Sequence, residues 1–388
     1  MIDSTARCPN WLAGRINDQG GAISFYQYMD WVLNDPDHGV YSTGRLQIGR
    51  NGDFCTSPSL SNDFGFLLSN QVVEWLFQLE KASKNNQILS LVEIGPGEGS
   101  LSRDLINNIA EIAPYLIPKM ELVLVELNEG MKSRQEKVVK SLKDIKIRWT
   151  DLDELKKNPV RGVIIAHEVL DAFPVERLIF RKNNVFRQGV ALQKENNENY
   201  LEFIDLKTTI SIDRFISESK SLLGIDFPPR GICDGWTTEW HCDVLPWFND
   251  LSKALIDGPL LIVDYAMESN RYYSKRREDG TLISYRGQKA NSNLLKDPGK
   301  CDLTSHLCME ATISYAIRNK WRFLGETRQG QALLALGLSE LLYSLQNIAK
   351  NDIATALDRR ESLLRLVSPM GLGEFRWLAF QKVNNSDL

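Results

Sequence analysis

Leu89-Ser-Leu-Val-Glu-Ile-Gly-Pro-Gly-Glu-Gly-Ser100 decides the fold. Leu89 to Ile94 is a short apolar run ending in glycines, the pattern of a strand buried in a parallel sheet. Gly95, Gly97 and Gly99 then lead into a helical stretch, Leu101 to Ile112. A glycine turn between strand and helix lets backbone approach a ligand that side chains would hold off. The dinucleotide fingerprint needs Gly or Ala three residues past the second glycine, and position 100 is Ser. A Walker-type phosphate loop needs Gly-Lys-Ser/Thr, which does not follow. Glu93 would repel a pyrophosphate and suits a ligand with a cationic amino-acid portion. S-adenosylmethionine, with an ammonium and a sulfonium, is such a ligand. Glu93, Gly95, Pro96, Gly97 and Gly99 are therefore expected contacts for it.

The pattern repeats downstream. Met120 to Val125 reads as a second strand, Gly130 to Leu142 as a second helix, Ile145 to Trp149 as a third strand and Gly162 to Ala166 as a fourth. Leu260 to Val263 is a later buried strand. Strand and helix alternating at this pace predict an α/β fold, a doubly wound Rossmann-like sheet with right-handed crossovers. Such sheets bind ligands at the carboxyl ends of their strands. Glu126 ends the second strand, where an acidic residue accepts hydrogen bonds from ribose hydroxyls. Asp151 and Leu152 follow the third, where a carboxylate and backbone could meet an adenine amine; Asp151 reads equally as a helix N-cap. The fourth strand runs into Ala166-His-Glu-Val-Leu-Asp-Ala-Phe-Pro-Val175. Its polar residues are catalytic candidates, Glu168 first and Asp171 second. Asp171 could instead cap a helix beginning near Pro174, and His167, a candidate cofactor contact, could equally be an ordinary packed histidine.

The rest of the chain frames this domain, placed at 88–382. Residues 1–87 form an N-terminal helical lid region, with helices over Ile23 to Asn34 and about Ser59 to Leu79. Thr56-Ser57-Pro58 is placed over the cofactor, or as a cap at Ser57 or Ser59. After Pro174 the alternation breaks. Arg177 to Asp205 reads as antiparallel strands with turns at Lys182-Asn183-Asn184 and Glu195 to Asn199. The whole stretch of about 177–257 reads as an α+β insertion on the substrate side, with a helix near Asp243 to Leu255. A polar loop insertion follows at about 267–303, then helices near 304–319, 330–347 and 352–367. Phe375 to Lys382 alternates like a last strand at the sheet edge.

With 388 residues the chain is long enough for two to three domains' worth of structure at about 150 residues each. Lys plus Arg is 46 and Asp plus Glu 50, a formal charge of −4, so no global basic footprint for nucleic acid exists. The basic run Arg271 to Arg277 reads as solvated surface. Six scattered cysteines without a CxxC pair, and four histidines without HExxH, give no metal site. No stretch of about twenty apolar residues occurs and the first twenty residues lack an apolar leader core. A cytoplasmic location is therefore expected.

Several blocks resemble the MidA-like methyltransferases: GDFCTSPSLSNDFG at 52–65, VEIGPGEGSLSRDL at 92–105, AHEVLDAFPVERL at 166–178, GPLLIVDYA at 258–266, GTLISYRGQKANSNLLKDPGKCDLTSH at 280–306 and ETRQGQALLALGL at 326–338. The resemblance implies a class I S-adenosylmethionine-dependent methyltransferase, with protein arginine as the acceptor in the mitochondrial member. The sequence departs from the family pattern at His167, Ala266 and Gln288, where Asn, Gly and His are usual. For an arginine acceptor, Glu168 would clamp the guanidinium, with Asp171, Asp264 and Glu239 as further candidates. The partners expected are a protein substrate and no nucleic acid; a homodimer stays open. So do a scaffold that only binds the donor and a different methyl acceptor.

Overall fold

The computed structural model describes residues 6–49, 52–82, 87–182, 184–345 and 353–383. The chain divides into two compact units, each assembled from three segments. One comprises Ile48–Val169, Phe248–Tyr265 and Ala316–Leu388; the other comprises Met1–Gln47, Leu170–Trp247 and Ala266–Tyr315.

The first of these carries the large sheet. Its strands are β1 (Leu89–Ile94), β2 (Met120–Val125), β3 (Lys146–Thr150), β4 (Val160–His167), β5 (Pro259–Asp264), β6 (Trp321–Arg328) and β7 (Arg376–Lys382). Their spatial order is β6-β7-β5-β4-β1-β2-β3. β1 to β5 run parallel, while β7 is antiparallel to both β5 and β6. A short strand, Leu255–Asp257, adds to the start of β4. Every residue of β1 and β2 is buried, because helices cover both faces of a parallel sheet. Helix α1 (Asp63–Ala82) buries Phe64, Leu67, Leu68, Val72, Leu76 and Leu79 at helical spacing. Helix α2 (Ser100–Ile112) buries Leu101, Leu105, Ile106 and Ile109. Both stripes join one core with Leu91, Leu122 and Val163 of the sheet, each such side chain contributing about 1.5–3 kcal/mol by leaving water. Helix α3 (Glu129–Val139) follows β2.

Several expectations need correction. The last strand, β7, lies inside the sheet rather than at its edge; the edge strand is β6, which the sequence reading missed. The helix expected over 330–347 is two short ones, Gln329–Ala335 and Leu338–Ser344, because Gly337 adopts φ +105° between them. Its end, together with Asn351 and Asp352, lies outside the described residues. The helix from Ser59 is likewise two, Ser57–Leu60 and α1.

The other unit is built on an antiparallel sheet, Ala6–Arg7, Glu198–Leu206, Asn184–Glu195, Glu176–Arg181 and Trp236–Trp240 in that order, with Ala22–Ser24 paired to the third. The hairpin turn at Asn196-Asn197 has φ +49° and +65°, the two-residue geometry that matches strand twist. The turn expected around Asn183 centres outside the described residues. Helix Ile210–Leu223 was not foreseen; Thr209 Oγ1 caps it by accepting from Ile212 N at 3.3 Å, and Gly224 ends it. Gln288 sits at φ +60° in a second tight hairpin, between Ile283–Arg286 and Lys289–Asn291, and is exposed. Among the described residues no helix is long and apolar enough to cross a membrane.

Candidate functional site

The sheet's order reverses between β1 and β4, since β2 and β3 extend to one side and β5 to the other. At such a switch point the loops leaving two adjacent strands diverge and open a crevice at their carboxyl ends. The glycine turn leaves β1 there, and His167-Glu168 ends β4.

Gly95 N still bonds to Val125 O of β2 at 3.0 Å, after which the chain turns with φ +59° at Gly95 and +52° at Gly97. A Cβ on Gly95 would stand 3.0 Å from Cγ2 of Val169, so the turn packs against the segment that carries Glu168. Pro96 O accepts from Gly99 N at 2.7 Å, and Gly99 opens α2. Glu93, one residue before the end of β1, is buried and receives a hydrogen bond from Ser102 Oγ. Burial pushes its carboxyl up to about 8; the Ser102 bonds oppose this and nearby Asp104 adds to it. At the end of β2, Glu126 Oε1 accepts from Asn128 N at 2.9 Å and Oε2 from Gln135 Nε2 at 2.8 Å. Burial raises its pKa against those same bonds.

Asp151 is exposed and caps helix Leu152–Lys157, its Oδ1 accepting from Glu154 N at 2.7 Å, so the capping expectation describes its side chain. Leu152 is the first residue of that helix. His167 is buried with its ring edge-on to Phe64, 5.1 Å between centroids, and burial pushes its pKa down to about 3. Glu168 has φ +52°, a conformation rare outside glycine, and its N–H bonds to Val263 O of β5 at 2.8 Å. Its side chain is only 9% exposed, with His167 Nδ1 3.5 Å from Oε1. Asp264 is buried at the end of β5, with Oδ1 accepting from Tyr265 N at 2.7 Å. Ser57 is buried and hydrogen-bonded with Gln329, and Thr56 N donates to Ser59 Oγ at 2.9 Å, so this turn is a cap starting at Thr56.

Two further candidates fall in the other unit. Asp171 belongs to the other unit, in a single 3-10 turn, Leu170–Ala172, whose Asp171 O accepts from Ser305 N at 2.9 Å. No helix follows Pro174; strand Glu176–Arg181 does, so the helix that Asp171 was expected to cap does not form. Glu239, in the same unit, is bonded through one oxygen: Oε2 accepts from Thr281 N at 2.9 Å and from Thr281 Oγ1 at 3.2 Å, and Gly280 packs against it. Two residues were missed. Ser102 supports Glu93. Gln135 is buried on α3 and bonds Gly97 O, Glu126 and Trp149. Its signal was its place in the stripe Met131, Gln135, Val139, the buried face of α3.

A family model described as "Putative S-adenosyl-L-methionine-dependent methyltransferase" matches residues 67–327. The chain belongs to this methyltransferase family. "Protein arginine methyltransferase NDUFAF7, mitochondrial" of Bos taurus is 26% identical over 92% of this chain and 80% of its own length. The protein of the same name from Danio rerio is 25% identical over 95% of this chain and 85% of its own. A crystal structure from Burkholderia thailandensis, with S-adenosyl-homocysteine bound, is 27% identical and superposes with a TM-score of 0.81 over 96% of this chain and 91% of that one. The family's methyl donor fits the residues present. Glu93 is a buried carboxyl whose pKa is raised by burial, and a cationic ligand beside it would favour its ionised form. Two glycines at positive φ keep side chains out of the crevice.

Proposed function

We propose that this methyltransferase acts on an arginine side chain of another protein. In this reading the glycine turn and Glu93 hold the amino-acid portion of S-adenosylmethionine, and Glu126 holds the ribose hydroxyls. Bound there, the donor supplies an electrophilic methyl group for in-line displacement, so alignment is most of what the enzyme contributes. An arginine guanidinium is protonated in water and a poor nucleophile. A carboxylate gripping two of its nitrogens concentrates positive charge there; the third would attack the methyl carbon as the methyl–sulfonium bond breaks, with S-adenosylhomocysteine leaving and the nitrogen's extra proton passing to solvent. Glu168 is suited to this. The observation that carries the reading is its left-handed backbone at the end of β4, beside the glycine turn. Such a conformation costs about 1–3 kcal/mol and persists where surroundings impose it, as at catalytic sites. The names of the curated relatives support the same acceptor.

The reading is tested by incubating a cell lysate with labelled donor and the enzyme, then hydrolysing the labelled protein. Methylarginine is expected; label in lysine, carboxyl groups or nucleotides would refute the arginine assignment. Two further results should follow. Glu126→Ala should weaken S-adenosylhomocysteine binding by about 1–3 kcal/mol, a hydrogen bond to a charged group, as read by calorimetry. A loss confined to the acceptor's affinity would place Glu126 elsewhere. In this reading Glu93 holds the donor's cation in its ionised form, and burial pushes its carboxyl up to about 8. Binding therefore releases a proton, and affinity should climb from about pH 5.5 to 7.5, below the range of the ligand's own amine, by up to about tenfold per unit. Glu93→Gln should flatten that slope; a slope equal in both proteins would remove Glu93 from the donor site.

A further inference from the structure

Gln135 makes three hydrogen bonds while fully buried. Nε2 donates to Gly97 O at 3.0 Å and to Glu126 Oε2 at 2.8 Å, while Oε1 accepts from Trp149 Nε1 at 3.0 Å. Both amide hydrogens are thus spent on two separate parts of the crevice. The indole fixes which way round the amide lies, because an indole N–H can only donate. On the preceding residue, Arg134 pairs with Glu98 of the same glycine turn. Two adjacent side chains of α3 therefore grip the turn after β1, and one of them also grips the carboxylate after β2.

From this geometry we propose that Gln135 is a positioning residue that sets the ribose selectivity of the donor site by locking the Glu126 carboxylate. The inference rests on the reading that Glu126 receives the ribose of an adenosyl donor. A carboxylate can satisfy two neighbouring hydroxyls only if its plane is fixed. Asn128 N holds Oε1 and Gln135 Nε2 holds Oε2, while the Leu127 backbone and the Asn128 side chain add further donors, so the Gln135 amide is the one donor that reaches the carboxylate from α3. Without the amide, the carboxylate is held from the Leu127–Asn128 side alone, its plane is less firmly set, and its charge loses a donor that stabilises it. Glu126 then still attracts hydroxyls, but no longer in one geometry. The link to Gly97 O ties that same lock to the turn on which the rest of the ligand lies.

The distinguishing experiment uses two ligands, S-adenosylhomocysteine and its 2′-deoxy analogue, titrated calorimetrically into the full-length protein and its variants. The wild type should prefer the ribose form. Gln135→Met, of similar length but without hydrogen bonds, should lose about tenfold or more in affinity for the ribose form and less than about threefold for the deoxy analogue. Trp149→Phe leaves Gln135 in place but removes the donor that orients it, and should narrow the same preference while changing the fold least. The two variants keep the test open should Gln135→Met fail to fold, which thermal melting by circular dichroism reads directly. In the double variant Gln135→Met/Glu126→Ala the two losses should overlap rather than add. Equal losses for both ligands would overturn the proposal, since Gln135 would then merely shape the turn. An unchanged preference in Trp149→Phe together with additive losses in the double variant would overturn it as well. Failure of the wild type to bind either ligand would be a different result, one that removes the adenosyl donor itself and the proposal with it.

Discussion

Glu168→Gln is expected to lower methyl transfer by roughly two to four powers of ten, the range for a lost electrostatic or acid–base group. Affinity for S-adenosylmethionine should change less than about tenfold. The substitution keeps the size of the side chain and the backbone bond from Glu168 N to Val263 O, and deletes only the charge. The carboxylate's benefit is realised as one guanidinium nitrogen becomes nucleophilic, in the transition state rather than in the bound ground state. Turnover should therefore fall while the donor's dissociation constant, measured separately by calorimetry, barely moves. Near wild-type turnover in the Gln variant would place the clamp elsewhere, with Asp264 and Asp171 next to be tried. A parallel fall in donor affinity would instead make Glu168 part of the donor site.

Gly95→Val should abolish donor binding, a loss of about hundredfold or more, in a protein that still folds. The position has φ +59°, which a β-branched residue resists, and the new side chain would start 3.0 Å from Val169 Cγ2. The turn must then abandon its conformation, and with it the backbone surface offered to the ligand. Because Val169 follows Glu168 directly, the same change should also disturb the acceptor side. Calorimetry with S-adenosylhomocysteine, paired with a melting curve, checks this. Wild-type affinity in a folded variant would show that the turn is not where the donor lies.

What could be read in advance was what the sequence states locally. β2 falls on Met120 to Val125 as expected, and β1 with its glycines needed only the apolar run and the turn residues. The places of Glu126 and Glu168 just after β2 and β4 were readable for the same reason, since each follows an apolar run. Sheet neighbours were not readable. The pattern of Arg376 to Lys382 suits a strand but does not say what pairs on either side, and β7 turned out to be interior. Trp321 to Arg328 was passed over because an edge strand with one buried residue, and a glycine at its centre, carries too weak an apolar alternation to stand out. Helix Ile210–Leu223 is rich in Ile and Ser, poor helix formers that only its caps and buried face compensate. Gln135 was hidden by chemistry rather than by pattern. A glutamine among Lys, Arg and Glu reads as solvated surface, and only its spacing with Met131 and Val139 says otherwise.

The interior place of β7 also orders events during synthesis. Of the seven strands it is the last to leave the ribosome, yet β5 and β6 both pair with it. Until it emerges, β5 is the rim of a half-built parallel sheet, carrying a row of backbone donors and acceptors with nothing to pair with. β6 meanwhile has no partner at all in that sheet. The nascent polypeptide therefore spends the translation of more than one hundred residues, from Asp264 to Arg376, with a sticky ladder on show. A chain released before residue 376 would keep that ladder permanently, and its natural fate is to pair with another copy of itself.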